Sequence, residues 1–376
     1  MKHSYRKIVV TIFLLIYCSK LAWYDLRVAS ARGYVSSFDI SQVLVIWGLV
    51  LAPFIFYFLI KIPNKLYVKW YSMLYWIYII SSLIVGVLYN NNVIGLVGDF
   101  YKAFFIPAGI GLYFFSRPLR IYFHNMLFRM LTVFIWMRFI LFVWVFSGVS
   151  RLYYGTVYDA VFFALALTKV KESVSFRNRV FTCLTGLLVL LGQKRVLLVS
   201  IASVLILNLR SWKVFLGALM SVVLVIIFQD SIASLLAGSR FASLVSIQSL
   251  IESQIRRTAE IEAIVATFSS NYWSLLTGYG FGAELDFFDV RYGGYSSIHS
   301  IHNSPLATLF RSGLLGVLVT GTVVIAGMST FVKKRNQEVG VVIFAILSAS
   351  LFVYSFYDEV LVGYFLGKYI ADKHDI

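Results

Sequence analysis

Cysteine is nearly absent from this chain: 376 residues hold two, Cys18 and Cys183, both inside apolar runs. That excludes a disulfide framework and a thiolate metal site, for which both the number and the spacing are wrong. Charge is scarce as well. Asp, Glu, Lys and Arg make up 13% of the residues against 60% apolar, and the mean hydropathy is +0.84. A soluble domain carries about a quarter charged residues, so that class is excluded. The composition predicts an all-α polytopic membrane protein, with residues 1–376 forming a single integral membrane domain. Acids are the rarer sign, 17 against 33 Lys and Arg, which leaves a formal charge of +16. This does not imply nucleic acid. The basic residues sit in short loops between apolar runs, as the positive-inside rule requires, and membrane lipids are the expected general partner. The first apolar run lacks a small-residue cleavage site and reads as a retained helix.

A spanning helix needs about 20 apolar residues. Twelve runs are read as spans: 8–24, 43–60, 66–88, 93–115, 127–149, 152–168, 178–193, 195–209, 214–229, 305–327, 340–357 and 359–372. Basic clusters then alternate with the spans. Lys2, Arg6 and Lys7 precede the first, Lys61, Lys65 and Lys69 follow the second, and Arg117, Arg120 and Arg129 follow the fourth. Lys333, Lys334 and Arg335 follow the tenth. All fall on one side, which is thereby predicted to be cytoplasmic together with both termini. Reading 178–209 as one helix would bury Lys194 and Arg195 at about 2.5–3.5 kcal/mol each. A hairpin places both at the outer interface instead.

One long external segment remains, 230–304. Loops of that length are usually functional. Within it Leu244, Ile247, Ile251, Ile255, Ile261, Val265 and Phe268 recur at helical spacing and predict an amphipathic helix lying over the membrane domain. Gly278, Gly280 and Gly282 form GYGFG, whose spacing does not fit a dinucleotide fingerprint and reads as a sharp turn back to the membrane. His302 and Asn303 then lead into an apolar run. Asn303 or Ser304 suits the N-cap and Pro305 the first helical position. Backbone N–H groups and the positive end of the helix dipole therefore face His302, as at an anion site. That dipole favours the neutral imidazole, which can accept a proton.

Other residues bear on chemistry. Lys194 and Arg195 read either as an interfacial snorkelling pair or as a phosphate fork at the start of a helix. Arg256 has Glu252 and Glu260 four residues away on either side, the spacing of a surface ion pair. Arg257 lacks such neighbours and lies beside the apolar face, which makes it the better ligand-binding residue. Arg240 and Arg291 read as solvated. His299 and His302 stand three apart, and Glu284, Asp286 and Asp289 are too distant in sequence to complete a metal site, so no metal and no cofactor is expected.

Together these residues resemble the O-antigen polymerase and O-antigen ligase superfamily. Its pattern is an arginine at the outer end of a mid-chain helix, then a helical arginine in a large periplasmic loop. A glycine turn and an HN-X-X-L-X-X-L-X-X-X-G-X-X-G motif entering the next helix follow. Here the matching positions are Arg195, Arg257, LLTGYGFG at 275–282, and His302, Asn303, Leu306, Leu309, Gly313 and Gly316. The resemblance covers 190–320 in motif and the N-terminal half only in topology. It implies a metal-independent inverting glycosyltransferase of the C-type architecture in the bacterial inner membrane, with its active site periplasmic. The implied donor is an oligosaccharide on undecaprenyl pyrophosphate, and a chain-length regulator protein is an implied partner. Arg195 and Arg257 would bind the pyrophosphate, with Lys194, Asn303 and Arg256 around it, and His302 would be the catalytic base.

Two rivals stand beside the polymerase. A flippase for the same lipid-linked glycan would carry polar residues along several spans, whereas here the intramembrane charges are chiefly Asp99, Lys102 and Arg138. A ligase would pass finished polymer to lipid A-core. The modest loop and the departure from ligase spacing favour the polymerase.

Overall fold

The computed structural model describes residues 2–30, 40–67, 70–146, 247–289, 293–299, 301, 304–333 and 360–374. The expected spans 152–168, 178–193, 195–209, 214–229 and 340–357 lie outside the described residues. The described chain is mostly helical. Its elements are α1 (Lys2–Ser30), α2 (Ile40–Leu59), α3 (Asn64–Tyr67), α4 (Trp70–Leu88), α5 (Val93–Ala103), α6 (Phe105–Ser116) and α7 (Arg120–Phe146). Further along the chain come α8 (Ile247–Ser270), α9 (Ser274–Thr277), β1 (Leu285–Asp289), β2 (Gly294–Ile298), α10 (Ser304–Lys333) and α11 (Val360–His374). Among the described residues, two helical stretches are long and apolar enough to cross a membrane, Val93–Phe134 and Pro305–Thr322.

The sequence predicts one unbroken helix over 93–115. The structure divides it at Phe104 into α5 and α6. Pro107 is the physical reason. It has no N–H to offer the carbonyl of Ala103 one turn earlier, so the ladder is interrupted. The Tyr75 hydroxyl of α4 donates to that carbonyl instead, at 2.8 Å. The helix restarts with Ala108 N–H donating to Phe104 O.

α6 is apolar on all sides and is buried along nearly its whole length, as such a helix must be. Glycines let its neighbours come to backbone contact. A Cβ on Gly109 would lie 2.0 Å from Val360 O, and one on Gly363 would lie 2.0 Å from Ile106 O, so α6 and α11 touch through their main chains. Gly111 meets Phe58 O of α2 in the same way. Close approach at small residues is how helices associate where lipid tails leave no hydrophobic driving force. Rings fill the rest of this core. Phe123 of α7 stacks on Tyr364 of α11 at 4.1 Å, and Phe13 of α1 meets Phe58 edge-on at 5.1 Å.

The all-α expectation omits one element. β1 and β2 form an antiparallel hairpin, with Leu285 opposite Ile298 and Asp289 opposite Gly294. LDFFD buries Leu285, Phe287 and Asp289 and exposes Asp286 and Phe288. That is the period of two that a half-covered strand requires. The covered face meets a second small core made of Ile264, Phe268, Ala283, Leu285, Ile301, Ala307 and Phe310. α8, the hairpin and the start of α10 are joined there.

Candidate functional site

The GYGFG turn is where this small unit docks onto the helices. Gly278, Gly280 and Gly282 have φ of 71°, 82° and 80°, values that L side chains rarely adopt. The turn lies against main chain throughout, and a Cβ on Gly280 would sit 2.0 Å from Gly86 N. Its partner is a break in α10. Gly313 has φ 61° and ψ −161°, which is not helical, so the helix is interrupted there. Carbonyls one turn before such a break lose their helical donors. Those of Phe310 and Arg311 accept from Tyr279 N–H at 2.8 Å and Gly280 N–H at 2.7 Å. Phe281 N–H donates to Ser82 O at 2.9 Å, and the Asn91 side-chain amide donates to the carbonyls of Tyr279 and Phe281. The turn thus supplies the donors that the broken helix lacks.

Beside the turn lies a buried carboxylate. Asp99 of α5 accepts from Gly282 N–H at 3.0 Å, and its other oxygen meets His299 Nε2 and Arg311 Nη1, each at 3.2 Å. Arg311 also donates to the carbonyl of His299. One acid therefore holds the glycine turn, the residue after β2 and the part of α10 just before its break. The His299 ring lies over Gly95, where a Cβ would be 3.0 Å from its Cε1. Its Nδ1 is covered and has no hydrogen-bond partner among the described residues. A general base must present a free nitrogen to its substrate. The arrangement at His299 instead latches three segments together.

α8 carries the two loop arginines. Arg256 pairs with Glu260 at 3.3 Å, as its i,i+4 spacing predicts, and also reaches Asp289 of β1 at 3.7 Å. It lies over the Phe287 ring, 5.6 Å from the centroid. The sequence reading of a surface pair needs correction, because Glu260 and Asp289 are both buried. The covered face of α8 is also rotated from the one expected. Phe268 is buried as expected and Ile264 joins it, whereas Ile255, Ile261 and Val265 are exposed. Arg257 stands three, seven and eleven residues before Glu260, Ile264 and Phe268, on the stripe that turns inward. It is half-buried and forms no ion pair with a described residue.

Lys194, Arg195, His302 and Asn303 lie outside the described residues. The chain on either side of His302 is placed. Ile301 is buried in the small core beneath α8, and α10 begins at Ser304 with Pro305 in its first turn. Glu284, Asp286 and Asp289 diverge: Glu284 accepts from Ser297 Oγ at 3.0 Å, Asp286 sits on the exposed strand face, and Asp289 pairs with Arg256. Sequence reasoning noted Asp99 without its partners and passed over Arg311. The available signal was an ionisable residue in each of two apolar runs, which in such a setting calls for a partner. Compared with family models, curated proteins and solved structures, the chain matches none.

Proposed function

We propose that this chain is an O-antigen polymerase, a twelve-span C-type glycosyltransferase of the bacterial inner membrane that acts at the periplasmic face. It would join oligosaccharide units carried on undecaprenyl pyrophosphate. The observation that supports this reading best is the shared small core. Ile264 and Phe268, on the helix that carries Arg257, pack with Ile301 and Ala307, which bracket His302 and Asn303 in sequence. The helix that carries Arg257 thus packs in one core with the residues on either side of His302 and Asn303.

In this mechanism Arg195 and Arg257 hold the donor pyrophosphate. An acceptor hydroxyl attacks the anomeric carbon from the opposite face, and His302 takes its proton. The anomeric C–O bond breaks, and its electron pair leaves with the pyrophosphate. Charge-assisted hydrogen bonds to the leaving group contribute about 1.5–3 kcal/mol each, more where negative charge grows in the transition state. Two guanidinium groups there take the role of a divalent ion, so activity of the purified protein is expected to persist in a chelator. Loss of activity restored by added magnesium would contradict that assignment.

The deciding experiment is substitution in a strain whose long glycan depends on this chain. Arg195→Ala, Arg257→Ala and His302→Ala are each expected to abolish polymer while membrane abundance stays unchanged. Arg195→Lys should fail too, because it keeps the charge and loses the fork. A lost polymerase leaves lipid A-core bearing a single repeat. A lost ligase leaves bare core, with polymer accumulating on undecaprenyl pyrophosphate, and that outcome would reassign the chain within the superfamily. Normal ladders in all three variants would reject the site.

A further inference from the structure

A second concentration of charge lies at the other end of α5 and α6. Asp99 is near the start of that pair, and Arg117 and Arg120 follow its end. The two places therefore do not share a ligand. An open cavity of about 750 Å³ is lined there by Lys7 of α1 and by Arg117, Arg120 and Arg129, with no carboxylate among its lining residues. The wall is tied together across elements. Thr11 Oγ1 and Tyr122 OH are 2.8 Å apart, and Lys7 Nζ lies 5.4 Å over the Tyr122 ring. α1 and α7 are thus joined at this wall, and Lys7 is held over it.

Lys7, Arg120 and Arg129 line one cavity with Arg117 beside them, so an anion placed there meets several cationic donors at once. Arginine forks suit a phosphate better than a halide, because they can donate two parallel N–H groups to its oxygens, and a phosphate has more oxygens than a carboxylate to share among several cations. Pro118 and Met126 supply apolar wall beside the charges, as a head group joined to glycerol would require. By the charge bias of the sequence this end faces the cytoplasm, where basic pockets between helices receive anionic lipid head groups.

We propose that this cavity binds a phosphate group through Lys7, Arg117, Arg120 and Arg129, supplied either by an anionic phospholipid head group or by the free ion. The test uses the full-length protein in a nonionic detergent, with native mass spectrometry to count adducts of phosphatidylglycerol and phosphatidylcholine. Each cation near an anionic head group is worth roughly fivefold in binding. Arg117→Gln with Arg120→Gln is therefore expected to lower phosphatidylglycerol retention about twenty-five-fold, toward the level of phosphatidylcholine. Lys7→Gln, on a different helix, should lower it roughly fivefold and serves if the double variant fails to fold. Lys61→Gln with Lys65→Gln removes two cations that do not line the cavity and should change nothing. Displacement of phosphatidylglycerol by millimolar inorganic phosphate would make the free ion a ligand, and resistance to it would make the lipid the ligand. Equal retention in the wild type and the cavity variants would overturn the proposal. So would an equal loss in the Lys61/Lys65 variant, since binding would then be diffuse attraction to a basic face.

Discussion

Asp99→Ala is expected to detach the unit built from α8, the hairpin and the start of α10 from the helices it docks on. The substitution removes the acceptor for Gly282 N–H and the counter-charge of Arg311, and it frees His299. Arg311 is 15% exposed, so its guanidinium would remain in place without an acid. Breaking a buried pair by deleting one member costs about 3–5 kcal/mol. That is a large part of the roughly 5–15 kcal/mol that separates a folded domain from its unfolded chain. Asp99→Asn keeps the shape and one acceptor, so it should cost less. Combining it with Arg311→Gln should recover part of the loss, because no charge is then left unpaired. A thermal unfolding series in detergent, read as a double-mutant cycle, measures the coupling, expected at about 0.5–3 kcal/mol. Limited proteolysis of the 270–300 segment should accelerate in Asp99→Ala. If Asp99→Ala unfolds within about 0.5 kcal/mol of the wild type, as a surface change would, the latch is not what holds this unit.

Gly280→Ala should be at least as damaging, for a different reason. Position 280 combines φ of 82° with the main chain of α4 pressed against it, and the added methyl would lie 2.0 Å from Gly86 N and 2.3 Å from its Cα. Neither neighbour is the end of a flexible side chain, so relief requires the turn to move away from α4. That movement would break the bonds from Gly280 to Arg311 O and from Phe281 to Ser82 O. Gly293→Ala separates the two causes. Gly293 also has positive φ, at 62°, but a Cβ there would meet nothing within 4 Å. It should cost only the left-handed penalty of roughly 1–2 kcal/mol. Gly280→Ala should add several kcal/mol of overpacking to that penalty, or prevent accumulation in the membrane altogether. Equal melting temperatures for the two variants would mean that conformation alone matters at 280 and that the close approach to Gly86 does not.

These two sites also mark what was legible in the chain. The sequence by itself determined the local features. Its apolar runs determined that most elements are helices. Glycines at 278, 280 and 282 determined a turn, since no other residue tolerates three positive φ values so close together. Arg256 and Glu260 were paired by their i,i+4 spacing, and Ser304-Pro305 marked the start of α10. Each of these follows from chemistry within a few residues, where propensity and periodicity act. The tertiary structure alone decided the rest. Asp99 meets residues 200 and 212 positions away, and no periodicity encodes such a partner. Of the expected face of α8, Phe268 is covered while Ile261 and Val265 are not, and Ile264 is covered in their place, because apolarity says what a helix can bury but not what will cover it. The split at Phe104 and the break at Gly313 belong here too. A proline or a glycine permits a helix to end, and whether it does depends on a neighbour, here Tyr75 or the 279–280 amides, arriving to pair with the freed carbonyls.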